Sequence, residues 1–296
     1  MKRFFQRWWK GLVGLMAIGV IASATVAWKV GGELTAPANH PIAAPKDSRF
    51  EDVVFPSQSG ATIHGWLISP NAPHGVIILQ HGIRGDRRAM ESRAQFLYQA
   101  GYAVLLFDFQ AHGESIGKVI TLGHLESRDS QAAVAFVKGR FPREPIAVIG
   151  ESLGAAAAVL AEPPLQVQAL VLEMMYPNVI EATKDRMEMR LGPAGRCLSP
   201  LLTSQIKYRI GCSTSDLCPI ERVEKITVPK LFLAGTKDTH TKFSEAQEIF
   251  ARAAEPKQFV PFENARHQDL HIFDKDRYEK IILNFLEENL HEQHKI

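Results

Sequence analysis

From Phe50 onward the apolar residues gather into short unbroken runs: Gly75 to Leu79, Tyr102 to Phe107, Ile146 to Ile149, Ala169 to Leu172 and Lys230 to Ala234. Each run is too short for a helix and lacks polar alternation, the pattern of a strand buried on both faces. Between them, Arg87 to Ala100, Leu125 to Lys138 and Lys242 to Ala254 carry apolar positions at helical spacing, and Tyr278 to Leu290 closes the chain in the same way. Strand then helix, repeated, predicts right-handed βαβ units and an α/β fold with a mostly parallel central sheet flanked by helices on both faces. Ahead of the series, two β-rich runs from Phe50 to Ser69 flank Ser57-Gln58-Ser59-Gly60, which predicts an antiparallel hairpin at a sheet edge. The stretch from about 176 to 218 holds no convincing strand and is rich in Met, Leu, Pro and Gly, so it is expected to form a small helical cap inserted into the sheet series.

The first thirty residues follow a different rule. Lys2, Arg3, Arg7 and Lys10 precede eighteen residues without a charge, Gly11 to Trp28. As a helix this run reaches about 27 Å, nearly the hydrocarbon thickness of about 30 Å and longer than the apolar part of an ordinary cleavable signal. Length favours a signal anchor over residues 1–30, with Trp8, Trp9 and Trp28 placed as an interfacial belt. Ala22-Ser23-Ala24, however, fits a small-x-small cleavage site, which leaves a signal peptide as the alternative. The basic N-terminal flank is expected to stay in the cytoplasm, placing the rest of the chain outside it, either membrane-anchored or, after cleavage, secreted or periplasmic. Residues 31–49, with Pro37, Pro41 and Pro45, show no apolar periodicity and are expected to be a tether, with one domain following over 50–292.

Composition supports one globular domain behind the anchor: 46% of the 296 residues are hydrophobic and 22% charged. A net charge of +2, much of it at the extreme N-terminus, argues against a nucleic-acid partner. Cys197, Cys212 and Cys218 lack CxxC spacing; an odd number in an exported chain allows one disulfide and one leftover thiol, or three small hydrophobes in a helical region. Nothing in the sequence calls for a cofactor or a metal.

The chemistry centres on Gly150-Glu151-Ser152-Leu153-Gly154, a G-x-S-x-G pattern that is cheap by itself. Its setting is informative: it follows the apolar run Pro145 to Ile149 and opens into the alanine-rich helix former Leu153 to Ala161, the strand, sharp turn and helix of a nucleophile elbow. Gly150 and Gly154 are small because the turn crowds neighbouring backbones. A serine nucleophile needs a base, and the base an orienting acid. Asp238 lies just past the strand Lys230 to Ala234, and His267 lies in the loop after the expected strand Lys257 to Phe262. Glu173, at the end of the preceding strand, is a rival acid, and His271 is spaced from His267 as a conceivable metal pair without an H-E-x-x-H signature. An oxyanion would be held by the Leu153 N–H and by that of Ile83, in a loop shaped by His81 and Gly82. Arg84, Arg87 and Arg88 nearby suit either an anionic substrate or a solvated helix start.

These motifs resemble those of the α/β-hydrolase superfamily, over nearly everything from Phe50 to Leu290. The resemblance rests on Gln80-His81-Gly82, on Asp108 to Ser115 with His112 where glycine is frequent, on the elbow, and on Asp238 and His267 in that order. The bacterial branch with serine aminopeptidase-like and monoacylglycerol lipase-like hydrolases is the most similar. The resemblance implies a serine hydrolase acting on a small-molecule acyl substrate through an acyl-enzyme, without choosing among esterase, lipase, thioesterase and peptidase chemistry. An acyl ester is the working expectation. The alternatives are a peptidase, for which Glu173 or Glu181 would hold the substrate amine, and a non-catalytic binding protein. In the cap, Met174, Met175, Met187, Met189, Leu191, Leu198, Leu201, Leu202 and Ile206 would either line an acyl pocket or pack helices onto the core.

Overall fold

The computed structural model describes residues 2–45 and 47–290. Residues 291–292, the end of the expected domain, lie outside them, as does residue 1. Helix α1 (Lys2–Thr35) leads into a two-residue strand β1 (Ala38–Asn39). The hairpin β2 (Glu51–Pro56) and β3 (Thr62–Ile68) precedes β4 (Val76–Gln80), α2 (Glu91–Gln99), β5 (Ala103–Phe107), the two-residue β6 (His112–Gly113) and α3 (Glu126–Arg140). Then come β7 (Ile146–Glu151), α4 (Leu153–Leu160) and β8 (Ala169–Glu173). A helical excursion follows, α5 (Val179–Leu191), α6 (Pro200–Thr203), α7 (Ile206–Ile210) and α8 (Pro219–Arg222), before β9 (Lys230–Gly235), α9 (Phe243–Arg252), β10 (Lys257–Phe262), α10 (Leu270–Phe273) and α11 (Lys275–Leu290).

Eight strands form one sheet in the order β10-β9-β8-β7-β4-β5-β3-β2. From β5 through β10 all neighbours are parallel, and the β2–β3 hairpin is added antiparallel at one edge. Strand β4 shows why its apolar run is unbroken. Val76 and Ile78 join the core on one face, with α3 and α4, whereas Ile77 and Leu79 join the core on the other, with α2 and α11. A strand packed on both sides has no position for a polar residue to face water.

The start of the chain differs most from expectation. Trp8–Thr35 is long and apolar enough to cross a membrane, with a mean hydropathy of 1.9 over an 18-residue window. The helix does not stop near residue 30 but runs on to Thr35. In this last part the helix packs closely on the cap, the Gln205 side chain lying against Gly31. Gln205 Nε2 donates to the Ala27 carbonyl at 2.9 Å, Arg209 donates to the Trp28 carbonyl with its guanidinium 4.0 Å above the indole, and Arg84 donates to the carbonyl of Glu33. The segment expected as a tether continues along the domain: β1 pairs with β6, the Asn39 side chain donates to the Ser115 carbonyl at 3.0 Å, and Ile42 is buried. Attachment through backbone groups and small residues leaves no apolar period to read. Cys197, Cys212 and Cys218 are all free thiols, so no disulfide joins any of them.

Candidate active site

Ser152 sits in the turn between β7 and α4 with φ 51° and ψ −104°, a conformation costly for any residue with a Cβ. The surroundings enforce it. Ser152 N–H donates to the Glu173 carbonyl on β8 at 2.8 Å, and its own carbonyl accepts from Ala156 in the first turn of α4. A Cβ at Gly154 would collide with the Gln80 carbonyl of β4, and one at Gly150 would lie 2.5 Å from the Gly154 carbonyl carbon. Both glycines therefore let helix, elbow and neighbouring strand approach one another.

Asp238 and His267 reach Ser152 from the loops after β9 and β10. Asp238 Oδ1 accepts from the N–H groups of His240 at 2.7 Å and Thr241 at 3.0 Å. Its Oδ2 stands 2.7 Å from His267 Nδ1, and His267 Nε2 stands 3.2 Å from Ser152 Oγ. The two loops are tied together: Lys237 N–H donates to the Ala265 carbonyl at 2.9 Å, and Gly235 has no room for a side chain, its Cβ position being 2.5 Å from that carbonyl oxygen. With the proton on Nδ1 facing the carboxylate, Nε2 is left to accept from the hydroxyl, which is the tautomer a general base requires. The His240 ring lies 4.8 Å from that of His267, and burial pushes its pKa down to about 4, so it adds no charge there near neutral pH.

Two rivals fall elsewhere. Glu173 is fully buried, paired with Arg93 at 2.9 Å and accepting from the Tyr278 hydroxyl, rather than facing His267. His271 contacts Glu279 at 2.9 Å and Ser92 at 3.2 Å. Among the described residues no group of three or more His, Cys, Asp or Glu side chains is placed to hold a metal ion.

The loop after β4 passes beside the elbow, since a Cβ at Gly82 would lie 3.4 Å from Glu151 Oε1 and 3.8 Å from Ser152 Cβ. His81 fixes this loop: Nδ1 lies 2.7 Å from the Gly82 carbonyl, and Nε2 accepts from Phe109 N–H at 3.1 Å. Complete burial pushes the His81 pKa down to about 4, which keeps the ring neutral and able to play both parts. Ile83 and Leu153 border the same cleft as Ser152, and the Leu153 N–H, in the first turn of α4, has no acceptor within its own helix. The neighbouring arginines differ in setting, Arg84 bordering the cleft, Arg88 lying exposed and Arg87 buried. Arg87 is buried against Asp108 and Glu114 beneath Trp66, Arg88 pairs with Asp86, and Arg84 caps carbonyls at the end of α1.

The cleft in front of Ser152 encloses about 790 Å³. The apolar residues of the cap divide between the two expectations: Met187, Leu191, Leu198, Leu201 and Leu202 line it, Met174, Met175 and Ile206 are buried in packing, and Met189 is exposed. Two contributors were not foreseen from sequence. One is the C-terminal half of α1, which supplies Ala22, Ser23, Val26, Ala27, Val30 and Leu34. The other is Arg186 on α5, whose pKa burial lowers while Asp238 opposes the shift, and whose Nη1 is buried without a hydrogen-bond partner among the described residues. Only its position one turn before Arg190 on a cap helix could have drawn attention to it.

Residues 71–181 match the family model described as Serine aminopeptidase, S33. An uncharacterised protein of Mycobacterium tuberculosis (strain ATCC 25618 / H37Rv) is 30% identical over 231 residues, covering 75% of this chain and 74% of that one. A lysophosphatidylserine lipase of Macaca fascicularis is 28% identical over 238 residues, 72% of this chain and 56% of the lipase. Among solved structures, an esterase of Pyrococcus furiosus superposes with a TM-score of 0.69 at 25% identity, covering 86% of this chain and 98% of the esterase.

Proposed function

We propose, for a chain that belongs to the α/β-hydrolase superfamily in its serine aminopeptidase S33-like branch and is a hydrolase of the esterase and lipase type, that it cleaves the acyl ester of a single-chain amphiphile. The observation that carries the reading is the unbroken line of contacts from Asp238 through His267 to Ser152 at the end of an apolar cleft. Ser152 Oγ attacks the ester carbonyl as His267 Nε2 takes its proton, while Asp238 holds the imidazole and stabilises its charged form. The Leu153 and Ile83 N–H groups receive the oxyanion, each donor worth about 3 to 4 kcal/mol in the transition state. His267 returns the proton to the departing alcohol, and water activated by the same nitrogen releases the acid from the acyl-enzyme. Helix α1 holds the enzyme in the membrane with the catalytic domain outside the cytoplasm.

An ester fits the surroundings better than a peptide. An aminopeptidase needs a carboxylate free to hold the substrate ammonium. Glu173 is taken by Arg93 and Tyr278, and Glu181 by Lys184 and Arg196. The wild-type protein is therefore expected to hydrolyse medium- and long-chain monoacyl esters at least about ten-fold faster than aminoacyl p-nitroanilides, with a fluorophosphonate attached to Ser152 in peptide mapping. Faster anilide cleavage, or a label on another serine, sinks the ester reading.

Arg186 gives the amphiphile a polar end. The lysophosphatidylserine lipase acts on a single-chain phospholipid by its name, and a half-buried guanidinium with an unused N–H suits a phosphate or carboxylate head in this cleft too. Arg186→Gln is expected to lower kcat/KM for a lysophospholipid by about ten-fold relative to its effect on a monoacylglycerol of the same chain length. Equal loss on both substrates would assign Arg186 to structure alone.

A further inference from the structure

Helix α1 forms one side of the cleft. Ala22, Ser23, Val26, Ala27, Val30 and Leu34 recur at three- and four-residue steps. At about 100° per residue they occupy an arc of about 140° on the helix. Ile21, 66% exposed, and Trp28, 54% exposed, fall on the opposite side and take no part in the cleft. Along the cleft face exposure declines with sequence: Ala22, Ser23 and Val26 are exposed, Ala27 and Val30 half-buried, and Thr35 buried. The cleft is thus open toward the middle of the helix and closed toward the catalytic domain.

The open end coincides with the membrane. If the uncharged run Gly11 to Trp28 spans the hydrocarbon layer with its basic flank inside, the outer half of that layer, about 15 Å, takes up the last ten or so residues of the run. Ala22 to Ala27 then lie at the depth of outer-leaflet acyl chains. Across the mouth, the cap presents Leu191, 57% exposed, and Leu201, 41% exposed, both lining the same cleft. Apolar side chains on a rim continuous with a membrane-spanning helix are matched to lipid tails rather than to water.

We infer that the substrate's acyl chain enters sideways from the outer leaflet, between α1 and the cap, and lies against the small-residue face of α1 with its ester at Ser152. This deepens the ester-hydrolase reading and rests on it for the identity of the reacting bond. Lateral entry spares each methylene from passing through water. It also gives the helix a second task besides anchoring: cleavage after Ala24 would remove Ala22 and Ser23 from the mouth, so the working enzyme keeps its N-terminal helix.

The test uses the full-length protein in phosphatidylcholine vesicles with two substrates, 1-palmitoylglycerol in the bilayer and p-nitrophenyl acetate in water. Ala27→Trp, which fills the cleft, is expected to lower palmitoylglycerol hydrolysis at least about ten-fold while changing acetate hydrolysis less than about two-fold. Val30→Trp should act in the same direction, and Ile21→Trp, on the far side of the same helix, should leave both rates near wild type. Unchanged palmitoylglycerol hydrolysis in Ala27→Trp and Val30→Trp overturns the proposal, as does an equal loss from Ile21→Trp. Should the wild-type protein hydrolyse neither ester, the catalytic reading of Ser152 fails separately, and crosslinking decides the entry route. A palmitoyl chain bearing a diazirine should label the cap peptide containing Leu201 and Leu202, and Ala27→Trp should suppress that label; labelling indifferent to Ala27→Trp overturns the route.

Discussion

Ser152→Ala is expected to reduce ester turnover by a factor of about 10⁴ to 10⁶ and to abolish fluorophosphonate labelling, with the fold intact. The size of the loss follows from the arrangement. Without Oγ, the Nε2 of His267 has no proton to take at 3.2 Å, and what remains is binding plus the oxyanion donors. Stability provides an internal control. Alanine inherits the φ of 51° at residue 152 and so keeps the backbone strain, leaving the thermal midpoint near that of the wild type. Ser152→Gly should be equally inactive but more stable by up to about 1 kcal/mol, because glycine adopts positive φ without penalty, although its greater freedom when unfolded offsets part of the gain. A serine site whose strain is maintained for chemistry predicts this pairing of lost activity with gained stability. Retained labelling in Ser152→Ala would remove the residue from the mechanism, and a Ser152→Gly variant less stable than Ser152→Ala would show that the elbow is not strained.

What the sequence made legible was set by short-range rules. Strands β4, β5, β7, β8 and β9 lie buried on both faces, and that condition writes itself into the chain as unbroken apolar runs. Ser152 and Asp238 follow such runs, β7 and β9, so finding those strands located the residues, whereas His267 follows the half-exposed β10 and was legible by its order after Ser152 and Asp238. The cleft was less visible because its walls depend on tertiary packing. Nothing local in Ala22-Ser23-Ala24 distinguishes a cleavage site from the small-residue face of a helix bordering a cavity. Likewise Arg87 suits a solvated helix start in sequence, yet it is buried, as is Arg93, with acidic partners contributed by segments distant in the chain. Burial of an arginine is decided by those distant carboxylates, which no periodicity records. The stretch after residue 30 shows no apolar periodicity for the same reason: its contacts, Gly31 against Gln205 and β1 against β6 among them, are made with residues far along the chain.

Arg93→Met is expected to cost about 3 to 5 kcal/mol of stability, the range for removing one partner of a buried ion pair. The Arg93 side chain on α2 is inaccessible to solvent. Its Nη2 lies 2.9 Å from Glu173 and 3.6 Å from Glu151, its Nη1 2.8 Å from Asp269, and its Nε donates to the Tyr278 hydroxyl at 3.0 Å. Methionine fills similar volume, so the loss comes chiefly from Glu173, left buried with Tyr278 as its remaining partner. For a domain of this size the midpoint of thermal unfolding should fall by roughly 10 °C. Glu173→Leu added to Arg93→Met should recover part of that loss, since an apolar pair can replace a buried ion pair at little cost. The double variant also separates stability from catalysis. Asp269 Oδ1 caps α10 by accepting from His271 and Ile272, two residues beyond His267, while its Oδ2 is held by Arg93. Loss of Arg93 frees the loop that positions the imidazole, and Glu173→Leu does nothing to restore that contact. Turnover should therefore stay depressed in the double variant even where its denaturation midpoint has recovered; recovery of both together would confine Arg93 to the core, and an unchanged midpoint in Arg93→Met would show that the network contributes nothing to the fold.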